Sequence, residues 1–319
     1  MRNVLDEIRL MCARVNAEAR WVRIDHARLF DHAEALPLDA AGYEPDPGRL
    51  RAGDDEATAS FVIALDAINF GSGYFPHIRK RPGMSGYFTV ANALRDHVAR
   101  HGELTTAELR TMTPERCREI FDQPRDAALA MELMGLFARA WVNLAEAIDT
   151  RHGSSFTALV RSAGGSAAAL VGELDLIDEF HDVATYHGYR VPLYKRAQIT
   201  AFDLAEAFGR SGLGHFDDLD QLTMFADNLV PHVLRVDGVL EVNPDLVARI
   251  DAGDDITSGS DPEVEIRAVA LHAVELMVER LHALGRAATA GELDSVLWNR
   301  GAGEKYKSVP RHRTRCVYY

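Results

Sequence analysis

The sequence predicts a mainly α-helical protein with at most a small β-hairpin. Apolar residues recur every three or four positions along most of the chain, helix-start signals are frequent and strand-like patterns are rare. Of the 319 residues, 47% are hydrophobic and 26% are charged, which is typical of a folded globular chain and excludes disorder. We therefore expect a compact multi-helix fold in one mostly helical domain over 1–319, with an internal split near 150–190 left open.

Apolar spacing and capping residues predict the individual helices. Near the amino terminus the spacing is set by Leu5, Ile8, Met11 and Val15. A long helix is predicted over roughly 126–150, and another from Asp261, with Pro262 in its first turn, to near Gly285. Further helix starts are marked by the capping residues Thr105, Thr113 and Thr289.

Extended structure is predicted in only two places. Residues 236–242, around a central Asp-Gly pair, suit a small hairpin, and residues 189–193 suit a short extended segment. Loops are predicted over 37–55 and 71–86 from their Gly and Pro content. The second loop is rich in aromatic and basic residues, which often border a ligand site.

Net charge and cysteine usage exclude several classes of protein. The formal charge of −13 argues against a protein that coats nucleic acid. Residues 305–319 nevertheless carry five Lys and Arg and no acid, which indicates one anionic ligand group or, alternatively, a solvated tail; the apolar and aromatic residues of this tail predict that it packs. Three widely spaced cysteines indicate buried or incidental thiols instead of a disulfide framework or zinc knuckle.

A cytoplasmic location is expected from two observations. The apolar stretch over 126–148 is interrupted by Glu132, Arg139 and Glu146, so no segment is predicted to span a membrane. Asp6 and Glu7 stand where a signal peptide needs an apolar run.

Asp227 is the first candidate for a reactive acid. It follows Phe225 in an apolar stripe predicted to be helical, and Pro231 is expected to kink or end that helix and free nearby carbonyl groups. A carboxylate beside a buried aromatic ring and a helix break suits a reactive site. On composition alone, an Asp that faces solvent on an amphipathic helix is the commoner arrangement.

Two further stretches place polar groups near apolar patterns. Asp294, Trp298 and Asn299 fall near one helix face, where a carboxylate, an indole and a carboxamide suit a heterocycle with N–H donors, although Trp is more often a core residue. Lys195 and Arg196 lie at a predicted helix start, where backbone N–H groups attract anions; plain surface charge is the alternative. Familiar nucleotide, metalloprotease and serine hydrolase motifs are absent.

Seven short motifs, weak singly and specific together, resemble one known family. They are Asp66-Ala-Ile-Asn-Phe70, Ser85-Gly-Tyr87, Tyr194-Lys-Arg-Ala-Gln-Ile199, Thr223-Met-Phe-Ala-Asp227, Glu263-Val-Glu-Ile-Arg267, Leu297-Trp298 and the terminal Arg311-His-Arg-Thr-Arg-Cys-Val-Tyr-Tyr319. The chain resembles the queuosine salvage proteins, the queuosine 5′-phosphate N-glycosylases. The resemblance implies a mainly α-helical fold similar to some DNA glycosylases. It also implies a single catalytic domain that hydrolyses queuosine 5′-monophosphate to queuine and ribose 5-phosphate without a metal or redox cofactor.

The resemblance also implies roles for individual residues. Asp227 matches the catalytic aspartate of the family, Phe225 matches an aromatic residue that lines the base pocket, and Asp294 matches a carboxylate that reads the base. Ser295 and Asn299 fall at positions that also line the pocket. Trp298 is expected to stack on the base with Phe225, and the candidates for the 5′-phosphate are Lys195, Arg196 and the tail arginines, in that order.

Three departures from the family pattern affect fine substrate contacts more than the reaction. Asn228 and Leu229 follow the catalytic Asp where Tyr-Arg is frequent. Gly71-Ser-Gly-Tyr74 intervenes where the Asn-Phe motif often continues into an aromatic pair including Trp, and Asn299 stands where Asp is common.

Two other functions remain open on the sequence alone. A helical binding module for modified tRNA or a protein partner fits the helical prediction and the basic tail, but the net charge weighs against RNA. An enzyme acting on a different modified nucleoside could use the same two acids. If the chain is the queuosine 5′-monophosphate hydrolase that the resemblance implies, we expect a small-molecule substrate and no nucleic-acid or membrane partner. The oligomeric state is left open.

Overall fold

The computed structural model describes residues 3–38, 46 and 51–319. Helices dominate these residues, and their β-structure comprises two antiparallel sheets of two short strands each. The prediction of a mainly α-helical fold is confirmed. Most of the loop predicted over 37–55 falls on residues 39–45 and 47–50, outside the described part of the chain.

The elements are numbered in chain order. The helices are α1 (Val4–Glu18), α2 (His26–Ala35), α3 (Asp55–Ala67), α4 (Gly86–His101), α5 (Thr106–Leu109), α6 (Pro114–Ile120), α7 (Ala128–His152), α8 (Phe156–Ser162), α9 (Ala167–Asp175), α10 (Lys195–Ala207), α11 (Leu229–Val236), α12 (Pro244–Ala252), α13 (Asp261–Ala283), α14 (Ala290–Arg300) and α15 (Glu304–Lys307). The strands are β1 (Val22–Ile24), β2 (Val183–Tyr186), β3 (Tyr189–Pro192) and β4 (Leu240–Val242).

The chain divides into two compact units, each assembled from separate stretches of sequence. The first unit comprises residues 1–44, 182–195 and 220–315. The second unit comprises residues 45–181, 196–219 and 316–319. One boundary, at 181/182, lies within the stretch over 150–190 where a split was left open. A single catalytic domain over 1–319 stays a prediction.

Helix α13 is the central element of the first unit. It packs against α1, α2, α11, α14 and strands β1 and β2. Its buried residues include Ala270, Val274, Met277 and Leu281, which recur at helical spacing. Pro262 lies in the first turn, where its missing N–H leaves no hydrogen bond unmade, so the helix begins and ends close to the predicted positions.

The small sheets of the first unit differ in part from the prediction. Strands β2 and β3 form a hairpin in which Tyr186 lies opposite Tyr189, so the extended segment over 189–193 is confirmed. The hairpin predicted over 236–242 is wrong. Val236 ends α11 and only β4 is extended, because its partner is β1, with Val22 opposite Val242. A local pattern carries no information about a partner so distant in sequence.

Helix α7 is the core helix of the second unit and confirms the prediction over 126–150. It packs against α3, α5, α6 and α8, and the indole N–H of Trp141 donates to the carbonyl of Ala64 at 2.8 Å. By length and composition α7 is one helix in the described part of the chain that could cross a membrane, but core helices of soluble proteins pass the same test. Its fully buried face gives α7 a packing role here.

The predicted environment of the cysteines and of the tail is confirmed. All three cysteines are buried and none forms a disulfide within the described residues, and burial raises the pKa of Cys117 to about 12. In the tail, Tyr306, Cys316 and Tyr319 are buried. The tail therefore packs instead of forming a solvated extension.

Candidate active site

The candidate site is built on an irregular segment outside helices and sheets, residues 222–228, which we call the acid segment. The helix predicted through it is wrong, because α11 begins only at Leu229 and Pro231 lies in its first turn. All of this segment except Asp227 is buried. A buried backbone outside helices and sheets must find other hydrogen-bond partners, and here side chains of α13 and α14 supply two of them.

Asp294 binds the backbone of the acid segment. Its Oδ1 atom accepts a hydrogen bond from the Phe225 N–H at 3.0 Å, and the side chain is 5% exposed. A complete capping box between Thr289 and Glu292 begins α14, and Asp294 is among the buried residues of this helix. The two acids predicted from sequence are thus joined through the acid segment.

Asp227 is held by one carboxylate oxygen. Its Oδ1 atom accepts hydrogen bonds from the N–H groups of Leu229 at 2.8 Å and Val230 at 3.1 Å, at the N-terminus of α11. The helix dipole there favours a negative charge. Within the described residues Oδ2 accepts no hydrogen bond, and the side chain is half-buried. The carboxylate is therefore fixed by one oxygen and presents the other.

The other predicted base-binding residues lie on α14 or in the acid segment. Ser295 is 7% exposed, and its buried hydroxyl has no hydrogen-bond partner in the described part of the chain. A buried hydroxyl without a partner is costly, and the role of Ser295 in the base pocket stays a prediction. Trp298 and Asn299 are half-buried on the same helix, whereas the Phe225 ring is almost completely buried. Stacking of a base on Phe225 stays a prediction.

Lys195 and Arg196 begin α10, as predicted. The Lys195 N–H donates to Asp182 Oδ2 at 3.1 Å, and its side chain is buried. Arg196 lies in the second unit and is 1% exposed. Its guanidinium donates to the carbonyls of Ala67 and Glu179. These bonds give Arg196 structural partners, and its assignment to phosphate stays a prediction.

Arg311 is a tail cation that interacts electrostatically with Asp227. Burial lowers the pKa of its guanidinium, and the charge of Asp227 opposes that shift. The backbone of His312, the residue after Arg311, is held in place because its carbonyl accepts a hydrogen bond from Asn228 Nδ2 at 3.3 Å. The basic residues Arg315 and Lys305 instead pair with acids of the first unit, Asp255 and Asp237.

Sequence analysis gave no role to Arg267 and Asp182. Arg267 donates from Nε to the Ala226 carbonyl at 2.9 Å and forms a two-point ion pair with Asp182, at 3.0 and 2.6 Å. The available signal was the charged Glu263-Val-Glu-Ile-Arg267 motif inside an otherwise apolar helix, since charged residues are rarely buried unless paired.

The buried imidazole of His232, on α11, predicts a loss of stability in acid. Its Nε2–H donates to the Tyr306 carbonyl at 2.8 Å, and burial lowers its pKa to about 4. An unfolded His titrates near 6.5. Between these values only the unfolded chain binds the proton, so the free energy of unfolding falls as pH falls, by about 2 kcal/mol at pH 5.

Urea unfolding at pH 7.5 and pH 5 measures this effect. The matched variant is His232→Gln, whose amide can still donate to Tyr306. We expect it to lose about 2 kcal/mol less than wild type over that pH range. His312, whose pKa burial lowers to about 3, stays neutral in the folded state between pH 7.5 and pH 5 and so contributes to both proteins. Equal losses in the two proteins would contradict the assignment to His232.

Enzymes that cleave glycosidic bonds commonly use a pair of carboxyl groups, and here Asp294 binds the segment that carries Asp227. A model of the queuosine salvage protein family matches residues 50–319, most of the chain. The chain therefore belongs to the queuosine salvage protein family.

Curated relatives from distant organisms agree with this membership. A protein of Sphaerobacter thermophilus is 36% identical over 96% of this chain and 95% of its own length. A protein of Dictyostelium discoideum is 34% identical, covering 83% of this chain and 79% of the relative, and a protein of Mus musculus is 31% identical over 96% and 97%. All three are named queuosine 5′-phosphate N-glycosylase/hydrolase.

Proposed function

We propose that this enzyme hydrolyses the N-glycosidic bond of queuosine 5′-monophosphate. Water adds its hydroxyl to C1′ of the ribose and its remaining proton to the base, which gives ribose 5-phosphate and queuine. The observation that carries the proposal is the Asp227 carboxylate, held by Oδ1 at a helix N-terminus with Oδ2 left for chemistry. The names of the relatives support the choice of substrate.

Asp227 is the proposed catalytic residue. Cleavage of an N-glycosidic bond builds positive charge on the ribose, as in other glycosidases. A fixed carboxylate below the sugar stabilises that charge and can orient or deprotonate the attacking water. Oδ2 is the atom proposed for this role, because Oδ1 is already committed to two backbone N–H groups.

Helix α14 supplies the proposed base site. A 7-deazaguanine-type base offers N–H groups that a buried carboxylate accepts, and each charge-assisted hydrogen bond contributes about 1.5–3 kcal/mol. Asp294 is assigned this contact, and the unsatisfied Ser295 hydroxyl lies beside it in sequence. Trp298 is assigned to stack on the base, with a contribution of about 1–3 kcal/mol.

Arg311 is the preferred candidate for the 5′-phosphate. It is a partly buried cation in charge interaction with Asp227, whereas the Arg196 guanidinium is bound to backbone carbonyls. Lys195 stays the second candidate. Water is the only co-reactant in this scheme. Because a nucleotide does not cross a lipid bilayer unaided, we place the reaction in the cytoplasm.

Incubation of the full chain with queuosine 5′-monophosphate, followed by chromatography, tests the proposal. We expect queuine and ribose 5-phosphate in equal amounts, and a lower kcat/KM for the nucleoside because it lacks the phosphate that Arg311 would bind. Equal kcat/KM values for nucleotide and nucleoside would contradict the assignment of Arg311 to the 5′-phosphate. Absence of free queuine, together with tRNA binding that weakens steeply with salt, would favour the binding-module alternative.

A further inference from the structure

We propose that Arg267 and Asp182 form a buried clamp that positions Asp227 by holding the carbonyl of the preceding residue, Ala226. Neither residue is assigned contact with the substrate, so both are positioning residues. The kinetic part of this inference rests on the proposed function; the structural part does not.

Arg267 uses three nitrogen atoms in the clamp. Its Nη1 and Nη2 atoms donate to the two carboxylate oxygens of Asp182 at 3.0 and 2.6 Å, and its Nε donates to the Ala226 carbonyl at 2.9 Å. The side chain is 1% exposed. A planar guanidinium with two ends fixed on a carboxylate has one remaining direction for Nε–H, which points at the acid segment.

Asp182 is itself anchored in the first unit. Its Oδ2 atom accepts the Lys195 N–H at 3.1 Å, and its backbone carbonyl accepts the Leu193 N–H at 2.9 Å. The clamp therefore joins central helix α13 to the hairpin of β2 and β3 and, through Ala226, to the acid segment. Both ends of the clamp, Asp182 and Ala226, belong to backbone segments that other hydrogen bonds also hold.

The clamp fixes the peptide group that precedes Asp227. Arg267 binds the oxygen of this peptide group, the Ala226 carbonyl. The N–H of the same peptide group, that of Asp227, donates to the Phe225 carbonyl at 2.6 Å and closes a three-residue turn. Rotation of the peptide would move the Asp227 side chain and its bonds to α11. A misplacement of about 1 Å at a reacting group can lower a rate about a hundredfold.

Stability alone does not account for a buried ion pair at this place. A buried pair is often no more stabilising than apolar residues of the same volume, because both charges lose their hydration. Its directed hydrogen bonds can instead hold a backbone group where apolar contacts cannot. This favours positioning as the role of Arg267.

Helix α13 offers a matched control for the experiment. Glu265, also buried, lies two residues before Arg267 and accepts hydrogen bonds from the Tyr186 hydroxyl and from backbone N–H groups near β1. Those donors are the N–H groups of Arg20, Trp21 and Val22. Within the described residues none of these hydrogen bonds of Glu265 reaches the acid segment, so Glu265→Gln perturbs a buried charge without releasing Ala226.

The first measurement is backbone hydrogen–deuterium exchange on the full chain. Arg267→Lys keeps the charge near Asp182 but removes Nε, so we expect at least tenfold faster exchange for amides of residues 225–230. Glu265→Gln should accelerate residues 20–24 instead. If Arg267→Lys does not fold, Asp182→Asn tests the same clamp. Unchanged exchange at 225–230 in the folded variant overturns the clamp.

The second measurement is turnover of queuosine 5′-monophosphate. We expect Arg267→Lys to lower kcat tenfold or more with KM within twofold of wild type, and Glu265→Gln to leave both within twofold. In an Asp227→Asn background, Arg267→Lys should cause no further loss, because it acts through Asp227. The positioning role is overturned if the kcat losses of Arg267→Lys and Asp227→Asn multiply in the double variant. It is also overturned if Arg267→Lys exchanges faster but keeps the wild-type kcat. An inactive wild type overturns the proposed function, while exchange still decides the clamp.

Discussion

Asp227→Asn is expected to lower kcat at least a hundredfold while the protein stays folded. Asn keeps an oxygen acceptor for the N–H groups of Leu229 and Val230, so the start of α11 is preserved. The atom that replaces Oδ2 carries no negative charge and cannot accept a proton. Stabilisation of the ribosyl cation and activation of water are both lost.

Single-turnover release of queuine measures the effect, and thermal unfolding verifies the fold. Asp25→Asn is the matched control, because Asp25 also caps a helix of the first unit, accepting the Arg28 N–H at 3.0 Å. We expect its kcat to lie within twofold of wild type. Turnover by Asp227→Asn close to the wild-type rate would remove Asp227 from the chemistry.

The long helices could be predicted because their burial repeats over many turns. Apolar spacing and Pro262 predicted the ends of helices α7 and α13 to within about two residues. The acid segment was predicted wrongly as helix for a physical reason. Residues 222–228 are nearly all buried, so their apolar pattern does not distinguish a buried irregular segment from a buried helix.

The bonds that determine the acid segment are invisible to local pattern. Arg267 is 41 residues from Ala226, and Asp294 is 69 residues from Phe225. The sequence indicated Asp227 and Asp294 as acids in apolar surroundings, and the family resemblance gave them roles. It could not show that one of them also holds the backbone of the other's segment, because that requires the packing of α14.

The two roles of Asp294 predict different results for two substitutions. Asp294→Asn keeps an oxygen acceptor for the Phe225 N–H but removes the charge, so we expect affinity for free queuine to fall about tenfold to a hundredfold. Asp294→Ala also leaves that buried N–H without a partner. The free energy of unfolding of Asp294→Ala should therefore be about 1–3 kcal/mol lower than that of Asp294→Asn, which keeps this hydrogen bond.

Titration calorimetry with queuine and urea unfolding separate these effects. Glu292→Gln is the control, because it changes a carboxylate to an amide on the exposed side of the same helix while its oxygen can still accept the Thr289 N–H. We expect this control to bind queuine within twofold of wild type. If Asp294→Asn binds queuine as tightly as wild type while Asp294→Ala is destabilised, Asp294 holds the acid segment and does not read the base.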